Sequence, residues 1–172
     1  MKASLTGASN PMVYDLDNEA FSPFYGLTED ELATVLSDNG LSNRLDEFKT
    51  WYNGYFYGGR QIYNISSVLS HISALQINPQ SSPGNYWANT SGNDILISAM
   101  EASCNLETVI ALMAGEAVDL PEISNTISYS GVKREDSLLS ILYATGCLTK
   151  IGDGAFRIPN EEVKSAFKEF LR

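Results

Sequence analysis

Histidine is almost missing from this sequence: among 172 residues only His71 carries an imidazole. That scarcity excludes zinc sites of the His-Glu-x-x-His kind and leaves one base for any Ser-His or Cys-His nucleophile. His71 sits in Ser66-Ser67-Val68-Leu69-Ser70-His71-Ile72, next to an apolar helical face and without a neighbouring acid. It reads as a helix-surface histidine with no catalytic role, and neither a Gly-x-Ser-x-Gly motif nor a cysteine-protease signature argues otherwise. Cysteine is equally sparse. Cys104 and Cys147 belong to no Cys-x-x-Cys pattern, so two buried thiols in a reducing, cytoplasmic setting are expected rather than a metal site.

A second absence concerns phosphate binding. A P-loop needs Gly-x-x-x-x-Gly-Lys-Ser/Thr so that backbone N–H groups wrap the phosphates, and no Gly-Lys pair occurs in the chain. Gly-x-Gly-x-x-Gly after a strand is missing too, which removes the usual dinucleotide fingerprint. Autonomous nucleotide hydrolysis is therefore not expected. Positive charge is in the minority: 11 Lys+Arg stand against 21 Asp+Glu, a net charge of −10 and a pI near 4.4. Such a balance opposes phosphate backbones and anionic lipids. No apolar run reaches signal-peptide or membrane-spanning length, so no membrane association is expected.

What the chain does have is enough apolar material for a core. With 44% apolar and 10% aromatic residues, it fits one ordinary domain or two small ones in contact. Residues 1 to 26 are broken by Gly7, Pro11, Pro23 and Gly26, with only Lys2 to Leu5 able to extend as a strand. Thr28-Glu29-Asp30-Glu31 is a capping box, Leu32, Val35 and Leu36 share a helical face, and Gly40 ends that helix. Leu45, Phe48, Trp51 and Tyr52 repeat at helical spacing until Gly54, completing a helical hairpin.

Tyr55-Phe56-Tyr57, Gly58-Gly59 and Arg60 to Tyr63 predict a β-hairpin, and Asn64 predicts the cap of a helix with Val68, Leu69, Ile72 and Leu75 on its apolar face. Pro79 to Gly84 then form the longest loop. Asn89 to Asp94 caps a further helix through Ile95 and Leu96, and another spans about Leu106 to Ala114. In the last third, β-prone pieces at Ala117 to Leu120 and Thr126 to Tyr129 precede an apolar helix around Leu138 to Tyr143. Cys147 to Ile151, an Asp153-Gly154 turn, Ala155 to Ile158 and a helix from Asn160 to Leu171 follow. Helix, hairpin and helix resemble the end of a winged-helix-like module, and the order equally suits any small α+β lid.

Two patterns imitate catalytic motifs. Pro159-Asn160-Glu161-Glu162-Val163-Lys164 has the acidic-x-Lys spacing of a PD-(D/E)XK nuclease, where two carboxylates hold a metal. Here Asn160 caps a helix, the two glutamates favour its first turn, and Val163, Phe167 and Phe170 continue an apolar face, so capping is the better reading. Glu47-Phe48-Lys49 lies inside a helix and is set aside likewise. The aromatic group Trp51, Tyr52, Tyr55, Phe56, Tyr57, Tyr63, Tyr86 and Trp87 has the makings of a base-stacking platform or a peptide groove. Only Lys49 and Arg60 stand near it, which favours packing or protein contact. Residues 133 to 172 carry seven Lys+Arg and six Asp+Glu; Lys133, Arg134, Lys150 and Arg157 are the candidate nucleic-acid contacts of that nearly neutral piece.

The ordered runs Phe24-Tyr25-Gly26-Leu27-Thr28-Glu29-Asp30-Glu31, Trp51-Tyr52-Asn53-Gly54-Tyr55, Ile62-Tyr63-Asn64, Tyr86-Trp87-Ala88-Asn89-Thr90-Ser91 and Ile158-Pro159-Asn160-Glu161-Glu162-Val163 together resemble the C-terminal half of the prokaryotic AAA-ATPase-like family. Members of that family often continue into a PD-(D/E)XK nuclease-like domain. The resemblance implies a mainly α fold with small β-hairpins: a remnant strand and connector at 1–26, a helical lid-like domain at 27–104 and a winged-helix-like α+β module at 105–172. It makes Trp51, Tyr52, Gly54, Tyr55, Tyr63, Asn64, Tyr86, Trp87, Asn89, Thr90 and Asn93 motif residues of structural or interaction character. Leu5 to Ser9 looks like the family's last core strand, where Thr6 and Ser9 would sense a nucleotide. The phosphate-loop core itself is missing here, and Ile65 and Ser66 replace the Pro and Trp that usually follow Tyr-Asn.

The expectation is a non-catalytic lid and interaction module with no cofactor of its own. ATP would bind only with a P-loop partner, and the partner would be another protein or the missing ATPase core. A winged-helix nucleic-acid binder, an ATPase completed by a separate P-loop chain and an enzyme of unfamiliar type are the alternatives.

Overall fold

The computed structural model describes residues 18–86, 106–119, 142–143, 145–152 and 154–170. Within them the chain is a mixed α+β structure of short helices and two small antiparallel sheets. Helix α1 (Glu29–Asp38) starts at the expected capping box. The Thr28 amide and hydroxyl both donate to Glu31 Oε2 at 2.8 Å, and the Glu31 amide donates back to Thr28 Oγ1 at 3.4 Å. Two donors on one carboxylate hold Glu31 below the usual carboxylate range. At the far end Gly40 N–H bonds Ser37 O and Leu41 N–H bonds Leu36 O, the paired closure that satisfies the last carbonyls of a helix.

A 3₁₀ turn at Ser42–Arg44 leads into α2 (Leu45–Tyr52). Helix α3 (Ile65–Ile77) is capped by Asn64 Oδ1, which accepts from the amides of Ser66 and Ser67. These three helices enclose one buried cluster built on Leu32, Leu36, Phe48, Tyr52, Val68 and Leu75. Each such side chain contributes about 1.5–3 kcal/mol by leaving water, so this cluster is the principal stabiliser of the first half.

Between α2 and α3 stands the expected hairpin of β1 (Tyr55–Tyr57) and β2 (Arg60–Ile62), with Tyr55 opposite Ile62 and Tyr57 opposite Arg60. Gly58 and Gly59 both have positive φ, +53° and +77°, as a two-residue turn matching the strand twist requires. Alternation then divides the hairpin's loyalties. Tyr55, Tyr57 and Ile62 face a second cluster with Leu112, Leu148, Phe156, Val163 and Phe167, whereas the next residue, Tyr63, enters the first. An antiparallel bridge between Leu27 and Tyr63 ties the start of α1 to the hairpin.

The second half supplies α4 (Leu106–Ala114), β3 (Val118–Asp119), β4 (Thr149–Ile151), β5 (Ala155–Arg157) and α5 (Glu161–Phe170). The sheet order is β3-β5-β4, all antiparallel. Asn160 Oδ1 accepts from Val163 N–H at 2.9 Å, so the acidic-x-Lys string is a capped helix start, as its apolar spacing implied. Cys147 is a free thiol buried beside this sheet, and burial pushes its pKa up to about 12.

Two expectations on α3 are overturned. Leu69 is 49% exposed and off the core, while His71 is fully buried. The buried stripe runs through Val68, His71, Ile72 and Leu75, the i, i+3, i+4, i+7 pattern of one helix face, and that places the imidazole on the seam instead of beside it. The expected strand at Lys2 to Leu5, the helix after Asn89 to Asp94, the piece at Thr126 to Tyr129 and most of the Leu138 to Tyr143 helix lie outside the described residues, as does Cys104. Among the described residues no helix is long and apolar enough to cross a membrane.

Candidate functional site

His71 does have an acidic neighbour, supplied by another helix. Its Nε2 lies 3.0 Å from Glu47 Oε1 on α2, and its Nδ1 lies 3.4 Å from the Tyr86 hydroxyl. A carboxylate only accepts, so Nε2 carries the proton that the Glu47 contact uses, and Nδ1 faces the Tyr86 hydroxyl. Arg44 completes the row by bonding Glu47 Oε2 at 3.0 Å and the Pro79 carbonyl at 2.7 Å. The imidazole packs between Phe48, 5.0 Å away ring to ring, and Tyr52, 5.7 Å away. With both nitrogens occupied and no exposed surface, His71 pins the loop after α3 onto α2.

The same loop is held from the other half. Tyr86 N–H donates to Glu162 Oε1 of α5 at 2.8 Å, and Glu162 has no exposed surface. Tyr52 reaches the loop through its hydroxyl, 3.3 Å from both backbone polar atoms of Gly84. Burial together with nearby Tyr86, Glu162 and Glu47 keeps the Tyr52 phenol neutral by raising its pKa strongly.

Motif residues among the described ones meet along one seam. Gly54, at φ +105°, lies so close to Pro159 that a Cβ would stand 2.0 Å from the Pro159 carbonyl oxygen. Thus Trp51-Tyr52-Asn53-Gly54-Tyr55 and Ile158-Pro159-Asn160-Glu161-Glu162-Val163 meet backbone to backbone. One residue on, Phe56 N–H donates to Thr149 Oγ1 at 2.9 Å, and the Tyr55 ring covers Gly146. The Tyr55 hydroxyl turns inward toward the side chains of Asn160 and Asn64, and its ionisation is suppressed by burial and by Glu162. Tyr63 is buried with its phenol pushed up to about 12, mainly by desolvation. Trp51 packs half-buried against the first cluster.

An open cleft of about 240 Å³ borders this seam, lined by Tyr25, Tyr55, Tyr57, Asn64, Ile65 and Thr145 among others. Trp87, Asn89, Thr90, Asn93, Thr6, Ser9, Lys133 and Arg134 lie outside the described residues. Lys150 and Arg157 are described and are not brought together. Lys150 pairs with Phe156 on the core-facing side of the sheet, whereas Arg157 pairs with Thr149 on the opposite side. Among the described residues no group of three or more metal-ligating side chains forms.

Glu162 and His71 are buried polar residues whose positions no motif in the sequence marks. The signal was present: Glu162 stands four residues before Ala166 and one before Val163, on the apolar face of α5, just as His71 lies on that of α3. A polar residue at an apolar register position announces a buried partner, and the partner's identity needs the tertiary contact.

No family model matches the chain, and no solved structure matches it. The chain is similar to an uncharacterized protein in the vnfD 5′ region of Azotobacter chroococcum mcd 1, at 25% identity over 175 residues. That alignment covers 99% of this chain and 32% of the relative, so the chain spans about a third of the length of the curated relative it matches.

Proposed function

We propose that this chain is a non-catalytic lid and interaction module of an AAA-ATPase-like protein, lacking the P-loop core and acting through protein contacts. The observation that carries this reading is the seam. Polar groups of the motif residues are used inside the fold, Glu162 on the Tyr86 amide across the seam and Asn160 and Asn64 as helix caps, while the Tyr55 and Tyr63 hydroxyls are buried among packed side chains. Side chains used in this way shape a surface; they do not present a reactive group to a substrate. The length of the Azotobacter relative also suits a module that works within, or beside, a larger polypeptide. Magnesium-dependent ATP turnover by the purified chain, surviving a control for contaminants, would overturn the reading; the expected result is none. If a neighbouring reading frame encodes Gly-Lys-Ser/Thr after a strand, co-purification of the two chains with restored turnover would favour an ATPase completed in trans.

A second reading is supported by the sheet. Helix α4, strand β3, the helical residues Leu142 and Tyr143, and then β4 and β5 in spatial order β3-β5-β4 suit a winged-helix-like module, with the antiparallel β4–β5 pair as its wing. Nucleic-acid binding by such a module should weaken steeply as salt rises. The opposite facing of Lys150 and Arg157 and the net charge of −10 argue against it, and a flat duplex titration at low salt would remove it.

A further inference from the structure

We infer that the tyrosine-lined cleft receives the cationic end of an arginine or lysine side chain presented by a partner protein. The inference rests on the interaction reading above and names the chemistry of the partner. Four aromatic rings line the cleft, those of Tyr25, Tyr55, Tyr57 and Tyr63. Tyr25 and Tyr57 have ring centroids 6.3 Å apart with planes at 75°, so together they form a corner, and Tyr55 follows at 6.2 Å from Tyr57. Aromatic surfaces arranged around a small volume attract cations through the ring quadrupole.

Charge is complementary as well. Among the described residues none that lines the cleft is charged, the buried Glu162 carboxylate lies close enough to the Tyr55 phenol to oppose its ionisation, and the whole chain carries −10. An anion would find no positive group among the described residues of that lining. The nearest basic residue on the hairpin, Arg60, stands opposite Tyr57 in the ladder, is exposed, and does not line the cleft.

The entrance is suited to a protein ligand. Tyr25 is 44% exposed, and Ile65 at 44% and Leu69 at 49% lie one turn apart on α3, a helix that carries no Asp, Glu, Lys or Arg along its length. A solvated surface helix usually bears charge on its outer face. A segment that seats a basic side chain among the tyrosines would lay its neighbouring aliphatic atoms on Ile65 and Leu69.

The test is an NMR titration of the full chain with N-acetyl-arginine methylamide, its neutral isostere N-acetyl-citrulline methylamide, and tetramethylammonium. The arginine probe is expected to move the Tyr25 and Tyr57 ring signals and to bind roughly tenfold more tightly than the citrulline probe. Tyr25→Ala, at an exposed position, should weaken it about fivefold, while Tyr25→Phe should preserve it. Equal affinity for the citrulline probe, or an unchanged affinity in Tyr25→Ala, would overturn the inference. Tetramethylammonium binding as tightly as the arginine probe would overturn the assignment to a protein side chain. An inert cleft leaves the interaction reading standing, whereas ATP turnover by the chain would sink that reading without touching this titration.

Discussion

The two buried clusters are built on different principles. The first draws nearly all its members from one continuous stretch, Leu32 to Leu75 with Tyr86 packed against it, and encloses the Glu47, His71 and Tyr86 row. The second gathers Tyr55, Tyr57 and Ile62 from the hairpin and joins them to Leu112, Leu142, Leu148, Phe156 and Phe167, far along the chain. Local order therefore suffices to assemble the first, whereas the second exists only once the hairpin has crossed to it. Non-local assembly of this kind carries a larger loop-closure cost before its contacts form.

Breaking the seam between them should have the largest effect. Gly54→Ala places a Cβ against the Pro159 carbonyl while forcing a side chain into a left-handed conformation. A loss of about 3–5 kcal/mol is expected, read as a lowered urea midpoint. Gly59→Ala is the control, with a similar φ of +77° and nothing within 4 Å of the added Cβ; it should cost only about 1–2 kcal/mol. Equal losses would mean that the seam is not closed.

Phe48→Ala removes a fully buried ring from the first cluster, with an expected loss of about 3–4 kcal/mol. Hydrogen exchange should then rise in α1 and α3 before it rises in β4 and β5. Simultaneous release would show that the clusters unfold as one.

Glu162→Ala removes the acceptor of the Tyr86 amide and should cost about 2 kcal/mol, with loss of protection at that amide. Glu162→Gln keeps an acceptor and should cost less. The contrast separates the strap between halves from the packing of either.

The smallest effect is confined to the first half. Glu31→Gln should weaken the α1 cap by about 0.5 kcal/mol at neutral pH. Because the folded state holds the Glu31 carboxyl below its ordinary value of 4.5, the stabilisation is present above that value and is lost as pH falls through the lower, folded-state pKa. The difference from the parent chain, measured by thermal unfolding, should fade accordingly in acid.

Much of this comparison was legible beforehand because its signals are local. Thr28 with Glu31, Asn64, Gly58-Gly59 and Asn160 each act on backbone groups within a few residues, and each does what its spacing implies. Leu69 and His71 exchange their expected places because register outweighs apolar character: a 3.6-residue period assigns positions to a face whatever their chemistry. Glu162 was read as a first-turn charge, and its burial follows from Tyr86 arriving across the seam.

The amino-acid order by itself determined where the described helices and the hairpin begin and end, since caps, turns and periodicity are settled within one or two turns of chain. It also determined that no phosphate loop can form, for that needs a Gly-Lys pair. Only the tertiary structure decided that Gly54 meets Pro159, that Glu47 meets His71, and that four tyrosines share a cleft with no charged side chain among its described lining residues. Such meetings depend on how separate faces dock, a collective outcome of burial and loop closure that no local pattern encodes.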